Sequence, residues 1–184
     1  MDAETAKILA GVGAILAAVG AFEHIVGIIG VILMLVGLIS LADIFGDQKM
    51  RSDSVMWFIY AIIAFLVLTI GGALSLFSLF SLMEFALFPP GGFGHMALLG
   101  IVVFIIVLVI AFVFFLLSAD KFKSVMAVLG QRTGESLFGT AGTLYYWGAV
   151  LTIVIVGAVL LFVALILAGI AFLTAKIPQA SSQR

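Results

Sequence analysis

Residues 96–117 read MALLGIVVFIIVLVIAFVFFLL, and this stretch decides the fold class of the chain. It consists mostly of isoleucine, valine, leucine and phenylalanine and contains no charged residue. Its length matches the roughly 20 residues with which an α-helix crosses the hydrocarbon core of a bilayer. The strands of a membrane barrel would instead alternate apolar and polar residues, which this stretch does not do. We therefore predict a transmembrane helix over 96–117.

The composition of the whole chain agrees with a membrane environment. Of its 184 residues 65% are hydrophobic and only 9% are charged, with a mean hydropathy of +1.43. A soluble domain of this size would expose a continuous apolar surface and associate through it. In lipid, backbone polar groups must be satisfied within the protein, and the helix does this within one segment. The sequence thus predicts an all-α, polytopic membrane protein with a single transmembrane domain over 1–184.

Further apolar runs predict the other crossings. A single helix over the first two runs would hold Glu23 and His24 at mid-membrane, so we expect a tight hairpin there. A polar loop over 43–54 follows the second run. The predicted crossings are 5–22, 25–42, 55–76, 96–117, 137–156 and 158–175.

Two segments are predicted to be interfacial. Residues 77–88 continue an apolar run that is too long for one perpendicular crossing, and prolines and glycines end it at 89–92. In 120–133, apolar residues fall at the spacing of one helical face, which indicates a short helix lying on lipid or, alternatively, on a partner. That face consists of Phe122, Val125, Met126 and Leu129.

The last apolar region leaves two topologies open. One helix over 137–175 would be about 58 Å long, roughly twice the hydrocarbon thickness, whereas two crossings turning near Gly157 have suitable lengths. With six crossings all eight Lys and Arg residues lie on one side, which the positive-inside rule makes cytoplasmic together with both termini. The aromatic cluster Tyr145, Tyr146 and Trp147 instead favours one long tilted helix and five crossings. We predict six crossings, with five as the alternative.

The ionisable residues Glu23, His24, Glu84 and His95 form the one candidate polar cluster. In the six-crossing topology they share the side opposite the basic residues, where two carboxylates and two histidines suit a metal ion or a proton relay. Residues of wet interfacial loops have the same appearance in sequence. Their spacing matches no metal motif, so no metal site is predicted. The charges at Asp120, Lys121 and Lys123 are interpreted as flanking a membrane segment.

No catalytic signature is present in the sequence. It has no H-E-x-x-H, no G-x-S-x-G and no phosphate-binding G-x-x-x-x-G-K-S motif, and it has no cysteine. The net charge of −1 does not favour a nucleic-acid partner. We expect neither enzymatic activity nor a cofactor.

One stretch of the chain resembles an integral-membrane family of archaea and bacteria that is catalogued as the domain of unknown function 996. The resemblance is carried by 132–138 (RTGESLF), 140–142 (TAG), 144–145 (LY), 148–149 (GA) and 151–152 (LT), and it extends to the opening glycine-rich hairpin and to 164–172. It implies a helical membrane protein, from an archaeon, with no assigned activity. It implies no catalytic or binding residues.

Small residues recur at the spacing of helix-packing faces. Ala10, Ala14 and Ala18 lie four apart, and Gly13, Gly20 and Gly27 lie seven apart. Such faces let helix backbones approach closely in lipid, either within one chain or between chains. The sequence predicts a structural or accessory membrane protein, acting as a homo-oligomer or as a subunit of a larger membrane complex; the alternative is a small channel or transporter.

Overall fold

The computed structural model of the chain is entirely helical in the part that it describes. It describes the backbone of residues 1–20, 22–87, 94–153 and 155–176, and the side chains of 1–20, 22–74, 100–152 and 156–176. The predicted all-α class is confirmed. The helices are α1 (Ala3–Val19), α2 (His24–Phe45), α3 (Gln48–Leu87), α4 (Gly94–Thr133), α5 (Ser136–Val150) and α6 (Ile155–Thr174), with a single 3₁₀ turn over Leu151–Ile153.

The first two helices form the predicted hairpin. The Asp2 side chain caps α1 by accepting a hydrogen bond from the Thr5 amide at 3.0 Å. Gly46 ends α2 in the left-handed conformation, with φ of 63°, which glycine adopts at little cost. The two helices pack antiparallel. Gly37 of α2 lies so close to the backbone of Ala10, and Gly13 of α1 so close to the backbone of Met34, that an added methyl group would collide there.

The last two helices also form a hairpin, which rules out one long helix over 137–175. The Phe138 and Phe172 rings lie 4.8 Å apart, so the start of α5 faces the end of α6. The 3₁₀ turn over Leu151–Ile153 interrupts the helix several residues before the predicted turn at Gly157. Gly157 instead lies in the first turn of α6, where it packs on the backbone of Leu151. The turn depends on this close approach of Gly157 to Leu151, and no charged residue in the sequence indicates its position.

Helix α6 also packs along α1. A methyl group at Gly11 would lie 3.1 Å from Cβ of Phe172, and one at Gly169 would lie 3.2 Å from the Gly11 carbonyl oxygen. The Phe22 and Phe162 rings meet edge to face, with centroids 6.1 Å apart. These contacts make α1 antiparallel to both α2 and α6.

Helices α3 and α4 differ from the prediction in their length. Each has 40 residues, which corresponds to about 60 Å, twice the hydrocarbon thickness. The predicted interfacial segment 77–88 is continuous with α3 as far as Leu87, and Phe88 lies outside the described residues. The serines of this segment do not interrupt the helix, because each still supplies the backbone donor and acceptor that the helical hydrogen bonds need.

The predicted interfacial helix over 120–133 is also a continuation, in this case of α4. Its apolar face is buried, with at most 1% exposure for Phe122, Val125, Met126 and Leu129. The Phe122 ring lies 4.3 Å from the Tyr145 ring, and Met126 lies against Gly142. The face was correctly identified, but it packs on α5 of the same chain and not on lipid. Periodicity reveals a buried face without revealing what covers it.

The chain divides into two compact units. Unit 1 comprises Met1–Ile59 and Leu116–Arg184, and unit 2 comprises Tyr60–Phe115. In unit 2 the two helical segments are antiparallel, because the rings of Tyr60 and Phe114 lie 6.1 Å apart and Gly71 packs against Val107.

Four stretches within the described part are long and apolar enough to cross a membrane, by length and composition. Helix α1 and helix α5, with 17 and 15 residues, are shorter than a typical span. The number of crossings therefore stays a prediction. The four stretches are His24–Phe45, Gln48–Leu74, Gly100–Thr133 and Val156–Thr174.

Candidate functional site: a charged end and a buried ion cluster

Most of the charged residues of unit 1 gather at one end of its helices. The antiparallel packing brings the N-terminus, the α2–α3 turn, the α4–α5 turn and the end of α6 to the same end. The Lys7 ammonium donates to the carbonyl oxygen of Ala175 at 3.3 Å, which ties α1 to the end of α6. A cation in this position also stabilises the negative end of the α6 dipole. Glu23 and His24 lie at the opposite end, and Arg184 lies outside the described residues.

The α2–α3 turn is joined to the α4–α5 turn by a charged pair. The Asp47 carboxylate accepts from the Met50 amide at 2.9 Å, capping α3, and lies 3.4 Å from the Arg132 guanidinium. The hydrogen bond from Met50 and the nearby Arg132 hold the pKa of Asp47 below its ordinary value. The carboxylate is therefore ionised at neutral pH, and the stability that it contributes decreases as the pH falls through this lowered pKa.

A buried carboxylate, Asp53, joins α3 to α4. Its side chain is only 7% exposed, and its Oδ1 lies 2.9 Å from the Lys121 ammonium. Its Oδ2 accepts from the Lys49 ammonium and from the Ser124 hydroxyl, each at 2.9 Å. Both oxygens are thus occupied by donors, and two of these donors are cations. We name Asp53, Lys49, Lys121 and Ser124 the Asp53 cluster.

The Asp53 cluster was missed in the sequence. The sequence predicts a polar loop at Asp53 and a charge group at Lys121 that flanks a membrane segment. A signal did exist, since Lys49 and Asp53 are four residues apart, the spacing of an ion pair on one helical face. The contact between Asp53 and Lys121 joins residues that are 68 positions apart, and no local pattern reports it.

An aromatic layer adjoins the Asp53 cluster on the same two helices. The Trp57 indole is 2% exposed and lies 5.4 Å from the Phe122 ring. The buried Ser118 hydroxyl donates to the carbonyl oxygen of Trp57 at 3.0 Å, which adds a second polar link between α3 and α4. These contacts make this level of unit 1 a tightly packed junction.

The predicted cluster of Glu23, His24, Glu84 and His95 is not assembled in the described part of the structure. Glu23 and His24 are exposed at the start of α2, and the Glu23 side chain makes no capping hydrogen bond. The side chains of Glu84 and His95 lie outside the described ones. Among the side chains that are described, no three of His, Asp and Glu are placed to hold a metal ion. Whether the four residues bind anything stays a prediction.

The fold and the charged end define a class of protein: an all-helical protein with four long apolar helical stretches and charges concentrated at one end of its larger unit. The chain belongs to the family described as "Protein of unknown function (DUF996)", which it matches over residues 26–166. The resemblance found in the sequence is thereby confirmed. No match was found among curated proteins, and none among solved structures.

Proposed function

We propose that the protein is a multi-pass integral membrane protein without enzymatic activity, which acts as a structural or accessory component by packing against other membrane helices. It would do so as a homo-oligomer or as a subunit of a larger membrane complex. The observation that carries the proposal is a contrast in burial. In α2 and α6, 33% of the most apolar stretch is buried inside the protein, against 11% in α3 and 6% in α4.

Unit 1 uses its own small residues for internal packing. Glycines line the contact between α1 and α2: Gly20, just after α1, lies against Gly27, and Gly30 lies against the backbone of Ala17. The alanines of the predicted packing face, Ala10, Ala14 and Ala18, are at most 1% exposed. These faces are therefore occupied within the chain. The small-residue pattern supports a stable unit 1 and does not supply a surface for a second chain.

Unit 2 offers the more suitable surface for helix packing. Its described side chains are mainly large, apolar and exposed, with 59% exposure for Ile70 and 55% for Val109. Among the described residues no atom lies within 4 Å of a methyl group added at Gly72, so a foreign helix can approach α3 closely at this point. In lipid, such packing supplies the association energy that the hydrophobic effect supplies in water.

The orientation follows from the charged end. The positive-inside rule would place this end of unit 1 in the cytoplasm, with both termini. Six crossings are consistent with the hairpins, since α1 with α2 and α5 with α6 each run to the opposite end and back. The alternative function, a small channel or transporter, receives no support from the Asp53 cluster, because the donors already occupy both oxygens of Asp53.

Cross-linking from single cysteines tests the proposed packing surface, and the chain has no native cysteine to interfere. We expect Ile70→Cys, oxidised in native membranes, to give a disulfide-linked product of twice the 19.4 kDa chain mass, because unit 2 would face a second copy. Attaching a benzophenone maleimide to the same cysteine would capture a different membrane subunit as an adduct of constant mass.

The matched control is Ile28→Cys, since Ile28 is equally apolar and 55% exposed but lies on α2. It should face lipid and remain uncross-linked. If Ile70→Cys gives neither product, or if both positions cross-link to the same extent, the proposed role of unit 2 is wrong.

A further inference from the structure

The outer surface of the hairpin formed by α4 and α5 changes from polar to apolar at one level. On α4 the exposed residue Leu117 is apolar. The exposed residues of the same face that follow it, up to the end of the helix, are polar or small: Asp120, Lys123, Ala127 and Gln131. On α5 a matching series leads up to the same level: Ser136, Gly139, Thr140 and Thr143. The next exposed residues of this face, Trp147 and Leu151, are large and apolar. Such a change is expected where a helix pair passes from water into lipid.

Lys123 lies at this change, and its ammonium has no counter-ion among the side chains that the structure describes. Among the described side chains no carboxylate lies within 4.0 Å of it, including Asp120, which is one turn away on the same helix. The ammonium lies over the Tyr146 ring, 4.9 Å from its centroid. This cation–π contact orients the ammonium without neutralising its charge. The positive charge therefore remains available to an external anion.

Trp147 lies beside this pair and is accessible. Its ring meets the Tyr146 ring edge to face, with centroids 6.1 Å apart, and the residue is 53% exposed. Tryptophan and tyrosine concentrate at the headgroup level of membranes, because their rings are apolar while their N–H and O–H groups remain hydrated. Lys123, Tyr146 and Trp147 thus combine a cation with the two aromatic types of that level.

We propose that Lys123, Tyr146 and Trp147 form a binding site for the phosphate of an anionic phospholipid headgroup. The inference rests on the proposed membrane location. The Lys123 ammonium would pair with the phosphate, and the exposed faces of Trp147 and Leu151 would contact the upper part of an acyl chain. A soluble phosphate would gain nothing from these apolar neighbours, so the site favours a lipid over a free anion.

The test uses the full chain in mixed micelles and brominated lipids, which quench nearby tryptophans. The chain has two tryptophans, and Trp57 is buried, so quenching reports mainly on Trp147. We expect brominated phosphatidylglycerol to reach half-quenching at a lower mole fraction than brominated phosphatidylcholine. Lys123→Gln should raise the mole fraction of phosphatidylglycerol at half-quenching about fivefold, which is the effect of one basic residue near an anionic surface. Lys176→Gln is the control, since Lys176 is exposed and, among the described residues, has neither an ion pair nor a cation–π contact with an aromatic ring.

Any of three results would overturn the proposal: equal quenching by the two lipids, an unchanged half-quenching mole fraction of phosphatidylglycerol in Lys123→Gln, or release of phosphatidylglycerol by millimolar inorganic phosphate. If Lys123→Gln does not fold, the wild-type chain in 1 M KCl replaces it, because the Debye length is then only about 3 Å. A lipid preference that persists in this salt contradicts a phosphate pairing. Resistance of the chain to alkaline extraction from membranes is measured separately, so that loss of the lipid site is distinguished from a wrong membrane location.

Discussion

Gly30→Ala is expected to lower the free energy of unfolding by about 3 kcal/mol or more, because α1 and α2 touch backbone to backbone at this point. An added methyl group would collide with the Ala17 amide nitrogen, and it would lie 2.6 Å from the Leu16 carbonyl carbon and 2.8 Å from the Gly13 carbonyl oxygen. Backbone atoms cannot swing aside as a side chain can. The helices must therefore separate, which also removes the contacts around Gly30. Equilibrium unfolding by SDS in mixed micelles measures the loss.

Gly139→Ala is the matched control for this variant. Gly139 lies within α5 of the same unit, and no atom of the described part of the chain lies within 4 Å of an added methyl group. Alanine favours the helix by up to about 1 kcal/mol relative to glycine, so this variant should be as stable as the wild type or slightly more stable. If Gly30→Ala unfolds like Gly139→Ala, the close packing of α1 on α2 is incorrect.

Asp53→Asn is expected to lower the free energy of unfolding by about 2–3 kcal/mol. The amide keeps the shape of the side chain but removes the charge that pairs with Lys121 and Lys49. One position of the new side chain would also be an N–H group, which cannot accept from these donors. The loss is moderated because the side chains of Lys121 and Lys49 are 33% and 72% exposed and can reach water. The same SDS titration provides the measurement.

Asp43→Asn tests whether burial of the Asp53 cluster is responsible. Asp43 also pairs with a basic residue, Arg51 at 3.4 Å, but both side chains are more than half exposed. An exposed pair of this kind contributes about 0–1 kcal/mol, so Asp43→Asn should have little effect. Equal effects of the two substitutions would show that the Asp53 cluster does not join α3 to α4.

The fold class could be predicted from the sequence because lipid imposes a simple requirement on composition. A run such as 96–117, with no charge, has few alternatives to a helix in a membrane. The two hairpins were also predictable, since Glu23 and His24 interrupt the first and excess length requires the second. The small residues at Ala10, Ala14 and Ala18 correctly indicated a packing face, and the structure shows that this face is buried within the chain.

The features that escaped prediction depend on contacts between distant residues. The face of Phe122 and Leu129 was visible as a pattern, but whether lipid or α5 covers it depends on a fold that periodicity does not specify. The Asp53 cluster likewise requires α3 and α4 to be antiparallel in one particular register. The prediction that the helix ends near residue 76, where apolar character declines, is wrong, since α3 continues to Leu87. Backbone hydrogen bonds can continue a helix through serines even where the sequence shows no apolar face.

Site-directed labelling tests the central claim, that unit 1 crosses a membrane with its charged end in the cytoplasm. The two positions are His24→Cys, at the α1–α2 turn, and Gln131→Cys, at the end of α4; both residues are exposed. In intact cells we expect a membrane-impermeant maleimide to label His24→Cys, and to label Gln131→Cys only after the cells are permeabilised. Labelling of both positions from the same side, or release of the protein from membranes by alkaline extraction, would contradict the account.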